Sequence, residues 1–150
     1  MTSLAPMAHS GQELKGPDGY RLRLVAAGGE TGGEMLEMEA TYRRAGTLPP
    51  EHLHPQQVER FEVLEGTIRA IIGGAEHRYE QGETFEVPAG TPHQMTAEGP
   101  ARLRWEVRPA LRTAEFFERL YSDGPDGAGA APSIADFLAE FSDEVRFTGA

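Results

Sequence analysis

The sequence predicts an all-β domain, an antiparallel sandwich or barrel of about eight short strands in two sheets (the jelly-roll arrangement), followed by two C-terminal α-helices. Three observations carry that expectation. Between Tyr20 and Val107 apolar and polar residues alternate in short runs, the period of a half-buried strand. Glycine and proline punctuate these runs at close intervals, too close for helices between the strands. After Pro109 the apolar spacing changes to that of a helix.

Residues 1–19 lack periodicity and carry Gly11, Gly16, Pro17, Asp18 and Gly19, which predicts an N-terminal arm ending in a turn. Residues 20–110 form the expected barrel. Tyr20 to Val25 alternates, and the Gly28-Gly29 and Gly32-Gly33 pairs bracket a turn, with no lysine placed to make a phosphate loop. In the next strand Leu36, Met38, Ala40 and Tyr42 alternate with Glu37, Glu39 and Thr41. Pro49 and Pro50 impose an extended approach to His52. If Glu59 points inward, Phe61 and Val63 do so too, while Arg60, Glu62 and Leu64 point away. Thr67–Ile72 and Ala75–Tyr79 read as a hairpin about Gly73-Gly74. Thr84–Val87, His93–Thr96 and Ala101–Val107 complete the strands. Residues 111–150 form a helical extension. In it Phe116, Phe117, Leu120 and Tyr121 follow a candidate N-cap at Thr113. A Gly- and Pro-rich linker, 124–132, leads to Ser133, the cap of a second helix whose stripe is Ile134, Phe137, Leu138, Phe141 and Val145. That stripe is expected to pack on the barrel.

Composition bounds the function. A chain of 150 residues fits one domain with a real core. There is no cysteine, hence no disulfide and no thiolate ligand, in keeping with an expected cytoplasmic location. The net charge of −10 disfavours nucleic acid and anionic membranes as partners. No signal-peptide pattern opens the sequence, and its apolar runs are too short to span a bilayer.

The chemistry concentrates in two stretches. His52 and His54 stand two apart, so in extended chain they share a face, and Glu59 opens the next apolar run. His93 follows the turn Pro88 to Pro92. Three imidazoles and a carboxylate suit a borderline divalent metal. The remaining histidines, His9 and His77, stand among polar neighbours and read as structural.

These stretches resemble the cupins. The first cupin motif runs Gly, five residues, His-x-His, three or four residues, Glu, six residues, Gly, matched here by Gly46, His52, His54, Glu59 and Gly66. The second runs Gly, five residues, Pro-x-Gly, two residues, His, three residues, Asn, matched by Gly82, Pro88, Gly90 and His93, with Ala97 in place of the Asn. The resemblance covers roughly residues 20–108 and implies the cupin double-stranded β-helix in a small single-domain form. It also implies that His52, His54, Glu59 and His93 hold one divalent transition metal ion: Fe, Mn, Ni, Co, Cu or Zn. Four protein ligands leave an octahedral ion with open positions, unlike a closed structural zinc site. Met38, Tyr42, Phe61, Met95 and Trp105 are expected to line a mostly apolar substrate pocket, with Gln56, Gln57 and Gln94 bordering the motifs. No residue pair stands out as general acid and base, so no catalytic residue is assigned.

Family membership further implies a small-molecule ligand or substrate. The expected function is that of a small metalloenzyme, dioxygenase-like or polyketide cyclase- or isomerase-like; the alternative is a non-catalytic binding or sensing cupin. Single-barrel cupins commonly pair through sheet edges and arms, so a homodimer is expected. Light scattering should return twice the 16.4 kDa chain mass. A 16.4 kDa species alone across a wide concentration range would count against pairing.

Overall fold

The computed structural model describes residues 8–122 and 134–149. The linker 124–132 and the cap at Ser133 lie outside the described residues. Among the described residues eleven strands form two antiparallel sheets: β1 (Glu13–Lys15), β2 (Arg21–Ala26), β3 (Leu36–Tyr42), β4 (His52–Leu53), β5 (Val58–Glu65), β6 (Thr67–Ile72), β7 (Ala75–Glu80), β8 (Thr84–Val87), β9 (His93–Ala97), β10 (Ala101–Arg108) and β11 (Arg146–Phe147). One sheet has the order β1-β2-β3-β10-β5-β8 and the other β11-β4-β9-β6-β7. The helical region consists of α1 (Thr113–Phe117), a π-helical turn (Glu118–Ser122) and α2 (Ile134–Glu140). Among the described residues no helix is long and apolar enough to cross a membrane.

The alternation in the sequence is the alternation in the structure. Leu22 and Leu24 on β2, Leu36 and Met38 on β3, Phe61 and Val63 on β5, Ile68 on β6 and Leu103 and Val107 on β10 are all buried in the core between the sheets. Arg60 points to solvent and Glu62 lies part-buried, as the parity of Glu59 requires. Outward residues of β10 pair with neighbouring strands: Arg102 Nη1 lies 2.8 Å from Glu39, and Arg104 Nη1 lies 2.8 Å from Glu62. Each such exposed pair is worth under about 1 kcal/mol, so they favour the register more than they hold the fold.

Some local expectations change. Glu13–Lys15, within the segment read as an arm, pairs with β2 as an edge strand and buries Leu14. Three residues are too few to show a period. Thr113 is the first residue of α1 rather than its cap; Arg112 takes the cap position without a side-chain bond. The Thr113 hydroxyl instead accepts a hydrogen bond from Gln57 Nε2 at 2.8 Å. The stripe of α2 packs on α1 more than on the sheets: Phe141 and Val145 join Phe116 in a second small core, flanked by Phe117 and Phe137.

Two motif glycines have clear causes. A Cβ on Gly46 would fall 2.4 Å from Thr96 Oγ1, and the Gly46 N–H donates to the Ala97 carbonyl at 3.1 Å. Gly66 has φ +81 and a Cβ there would sit 2.3 Å from the Pro100 carbonyl oxygen. Gly66→Ala should therefore cost roughly 2–3 kcal/mol. Gly82→Ala, also at positive φ (+90) but with nothing within 4 Å, should cost only about 1 kcal/mol. Urea denaturation of both variants checks this; equal losses would rule out the close approach as the cause.

Candidate metal centre

The two sheets supply the two halves of the site. His52 on β4 is the cross-strand partner of His93 on β9, and His54 follows directly after β4. Glu59 projects from β5 in the opposite sheet, paired with Val87 and Val107. The ring centroids lie 4.4 Å apart for His52–His93, 5.2 Å for His52–His54 and 5.1 Å for His54–His93. Ligating atoms of these histidines all lie within 4.8 Å of one another. Glu59 Oε1 lies 3.1 Å from His54 Nε2 and 3.0 Å from His93 Nε2.

Each imidazole is turned the same way. His52 Nδ1 lies 3.1 Å from the Pro50 carbonyl, His54 Nδ1 2.7 Å from that of Glu144, and His93 Nδ1 2.9 Å from that of Thr91. A carbonyl only accepts, so each Nδ1 carries a hydrogen, and in the neutral imidazole each Nε2 presents a lone pair inward. His54 Nε2 and Glu59 Oε1 are then buried acceptors facing each other without a hydrogen-bond partner. Such an arrangement is costly unless a cation sits between them. A proton on His54 or a divalent metal would serve, so the residues present fit a metal ion on the chemistry of the donor set. The other Glu59 oxygen, Oε2, accepts a hydrogen bond from Trp105 Nε1 at 2.8 Å, which fixes the carboxylate plane.

The electrostatics follow. When a proton rather than a metal lies between Glu59 and the imidazoles, burial would still raise the Glu59 carboxyl, but the charge and hydrogen bonds that this proton brings from the imidazole side, His54 first, outweigh it and hold the group well below the usual carboxylate range. For His54 burial works downward, and neighbouring Glu59 more than reverses it, so its pKa is raised. His52 is lowered to about 4, first by burial and next by His93.

Above these residues opens a cavity of about 460 Å³. Of the residues expected around the site, Tyr42, Phe61, Met95 and Trp105 line it. Met38 does not: fully buried on β3, between Leu24 and Trp105 in register, it belongs to the core. None of the glutamines lines the cavity either. Gln57 ties β5 to the Pro109 carbonyl at 2.9 Å, Gln94 bonds the Pro49 carbonyl at 2.8 Å, and Gln56 reaches Asp143.

Sequence reasoning missed the roof of the cavity. Tyr20, Phe116, Phe117, Tyr121, Glu144 and Phe147 all line it. The helical periodicity marked the C-terminal aromatics as a packing stripe, and nothing in their spacing says that one edge of the stripe faces the histidines. The Glu144 carbonyl, which sets the tautomer of His54, leaves no sequence signal at all.

The motifs have counterparts among known proteins. A family model described as "Cupin domain" matches residues 40–107, which hold both histidine stretches. The tetracenomycin polyketide synthase protein TcmJ of Streptomyces glaucescens is 26% identical over 136 residues, 89% of this chain and 86% of that protein. Quercetin 2,3-dioxygenase of Bacillus subtilis (strain 168) is 29% identical over 75 residues, 50% of this chain and only 22% of the dioxygenase. Among solved structures, KdgF from Halomonas sp. superposes with a TM-score of 0.57 at 19% identity, covering 65% of this chain and 86% of that one. Fold, motifs and family model together identify residues 40–107 as a cupin domain.

A pH dependence follows from His52. Its folded pKa, about 4, lies below the ordinary 6.5. Its contribution is therefore whole above 6.5 and is lost as the pH falls toward 4. In chelator, wild type should lose on the order of 1–2 kcal/mol more than His52→Asn between about pH 7 and about pH 5. Urea denaturation at both values reads the difference, and parallel losses would contradict a neutral buried His52.

Proposed function

We propose that the protein is a metal-dependent enzyme acting on an oxygenated aromatic or polyketide-like small molecule, with His52, His54, Glu59 and His93 as the ligands of one divalent transition ion. The observation that carries this reading is the common posture of the three imidazoles. Each spends its Nδ1 hydrogen on a backbone carbonyl and turns its Nε2 toward one point on the floor of an aromatic-lined cavity, with Glu59 opposite. Core packing gains nothing from burying acceptors face to face. A bound ion would supply Lewis-acid or redox activation of a substrate oxygen.

The chain's own residues do the remaining work. Trp105 holds Glu59 in place through its Nε1 hydrogen. Phe61, Met95 and Trp105 exclude water and strengthen every charge interaction on the floor. Burial, with the Tyr121 charge adding to it, raises the Tyr42 phenol far above its ordinary pKa. Tyr42 therefore stays protonated at neutral pH and donates a hydrogen bond to a substrate oxygen rather than taking up a proton.

Ring closure or isomerisation of a polyketide-like substrate comes first, because the relative aligned over 89% of this chain is by name a polyketide synthase protein. A dioxygenase reaction is the second reading, supported by the histidine–carboxylate set and the likeness to quercetin 2,3-dioxygenase over half the chain. We place the protein in the cytoplasm as a homodimer, in keeping with its lack of cysteine and with the family's habit of pairing.

Protein purified without chelator should contain about one divalent ion per chain by elemental analysis, and His52→Ala with His54→Ala should abolish it. Full occupancy in that variant would sink the ligand assignment. Metal-dependent cyclisation of poly-β-keto compounds supports the first reading. Oxygen uptake by anaerobically Fe(II)-loaded protein with aromatic diols or flavonoids, lost in Glu59→Ala, supports the second. If a broad panel gives neither, the chain is a non-catalytic binding or sensing cupin.

A further inference from the structure

The cavity has two chemically different ends. Its floor is buried: His54, Glu59 and His93. Its mouth is formed by exposed residues, among them Asp18, Arg43 and Arg44. Between the two runs an unbroken series of aromatic contacts. Trp105 meets Phe117 at 5.3 Å, Phe117 stacks on Tyr121 at 5.8 Å, Tyr121 meets Tyr20 at 5.7 Å, and Tyr20 meets Tyr42 at 5.0 Å between centroids. A flat ring system of several fused rings is the ligand shape such a wall accommodates.

The mouth carries a charge anomaly. The chain has 24 acidic residues against 14 lysines and arginines. Arg21, Arg23, Arg60, Arg69, Arg78, Arg102, Arg104, Arg108, Arg112 and Arg119 all lie within ion-pair reach of a glutamate. Arg146 donates to the Ser142 carbonyl. Among the described residues the side chains of Lys15, Arg43 and Arg44 have neither an ion pair nor a hydrogen bond, and of these three the two arginines line the cavity. With carboxylates in surplus everywhere else, two adjacent unneutralised guanidinium groups at a cavity mouth are not accounted for by surface pairing. The backbone makes room for Arg43: a Cβ on Gly19, at φ +79, would fall 2.5 Å from Arg43 Cδ. Gly16 does the same for the aromatic wall, since a Cβ there would fall 2.9 Å from Tyr20 and 3.2 Å from Tyr121.

Next to the arginines stand three phenols. The hydroxyls of Tyr20, Tyr42 and Tyr121 make no hydrogen bond among the described residues. All three residues line the cavity, so their hydroxyls are free to serve a ligand.

We propose that this mouth is an anion subsite: Arg43 and Arg44 take the ionised carboxylate of a planar phenolic acid, the hydroxyls of Tyr20, Tyr42 and Tyr121 bond its ring oxygens, and its far edge reaches the histidine floor. This names the substrate class of the function proposed above, and rests on that reading for which end reacts. Arginine forks match carboxylates in geometry, and an apolar surround strengthens the pair. A protein of net charge −10 repels small anions in general, so admitting one calls for a local positive field where the ligand enters.

Trp105 is the chain's single tryptophan and sits in the cavity wall, so its fluorescence reports binding directly. The probes are a hydroxynaphthoate and the matching neutral naphthol, titrated into chelator-treated protein. The acid should bind roughly tenfold tighter than the naphthol, and the advantage should shrink as salt rises. Arg43→Gln with Arg44→Gln should erase the advantage and leave naphthol binding unchanged. Neither arginine makes a bond within the fold, so the variant should unfold at the wild-type temperature. Tyr42→Phe should weaken both probes alike. Equal affinity for acid and naphthol, retention of the preference in the double variant, or no saturable quenching by either probe overturns the proposal. The assay contains no metal, so it separates the two readings. Metal content and turnover without acid preference overturn only the anion subsite; acid preference without turnover overturns only the enzyme.

Discussion

Everything in this structure is arranged around one contact that needs a cation: the carboxylate of Glu59, from one sheet, facing the Nε2 atoms of His54 and His93, from the other. Two kinds of acceptor at about 3 Å repel unless a positive charge lies between them. The fold holds them there regardless. Glu59 shares its strand with Phe61 and Val63, whose burial anchors β5 in the core. The histidines are tied down by three backbone carbonyls and by the pairing of β4 with β9. Burial that would otherwise favour a neutral carboxylic acid is overcome by the imidazoles, so the site keeps a negative charge ready.

The C-terminal segment completes what the barrel begins. The Glu144 carbonyl accepts the His54 Nδ1 hydrogen, and β11 adds to β4 with Phe147 opposite His52. The segment is held in turn by the Phe116–Phe141–Val145 cluster and by Arg112 and Arg119, which share Glu140 and lie over the Phe141 ring. The helical extension therefore does more than cover apolar surface: it sets the tautomer of one candidate ligand and roofs the cavity over all of them. The outward ion pairs of the larger sheet sit on the opposite face from this cavity, so the charge they carry is spent on the sheet's exterior.

The likeness to other cupins is strongest where the chemistry is concentrated. The family model spans residues 40–107 and so takes in none of the roof, which Tyr20 and the residues from Phe116 onward supply. The elements that complete the pocket beyond the histidine stretches are the Pro17–Gly19 turn, the arginines at the mouth and the aromatics after Pro109. All of these lie outside the two motifs, Arg43 and Arg44 just ahead of the first. One fold serves many reactions because elements of this kind vary while the barrel stays.

The sequence by itself determined the longer strands of the barrel and the candidate ligands. A strand's period is local, so Glu59, Phe61 and Val63 could be set on one face from their spacing alone. Glycine pairs were legible as turns for the same reason, as at Gly73-Gly74 between β6 and β7. Only the tertiary structure decided the surroundings. Met38 and Trp105 are register partners on adjacent strands, yet one is core and the other reaches Glu59, because depth in a sandwich depends on which strands cover a position and not on its parity. Tyr20 and Tyr121 lie about a hundred residues apart and meet only when the N-terminal turn and the π-helical turn close over the same cavity. Contacts of that range, and backbone groups such as the Glu144 carbonyl that any residue could supply, have no pattern along the chain, since they come into being only when the sheets and the helical extension pack.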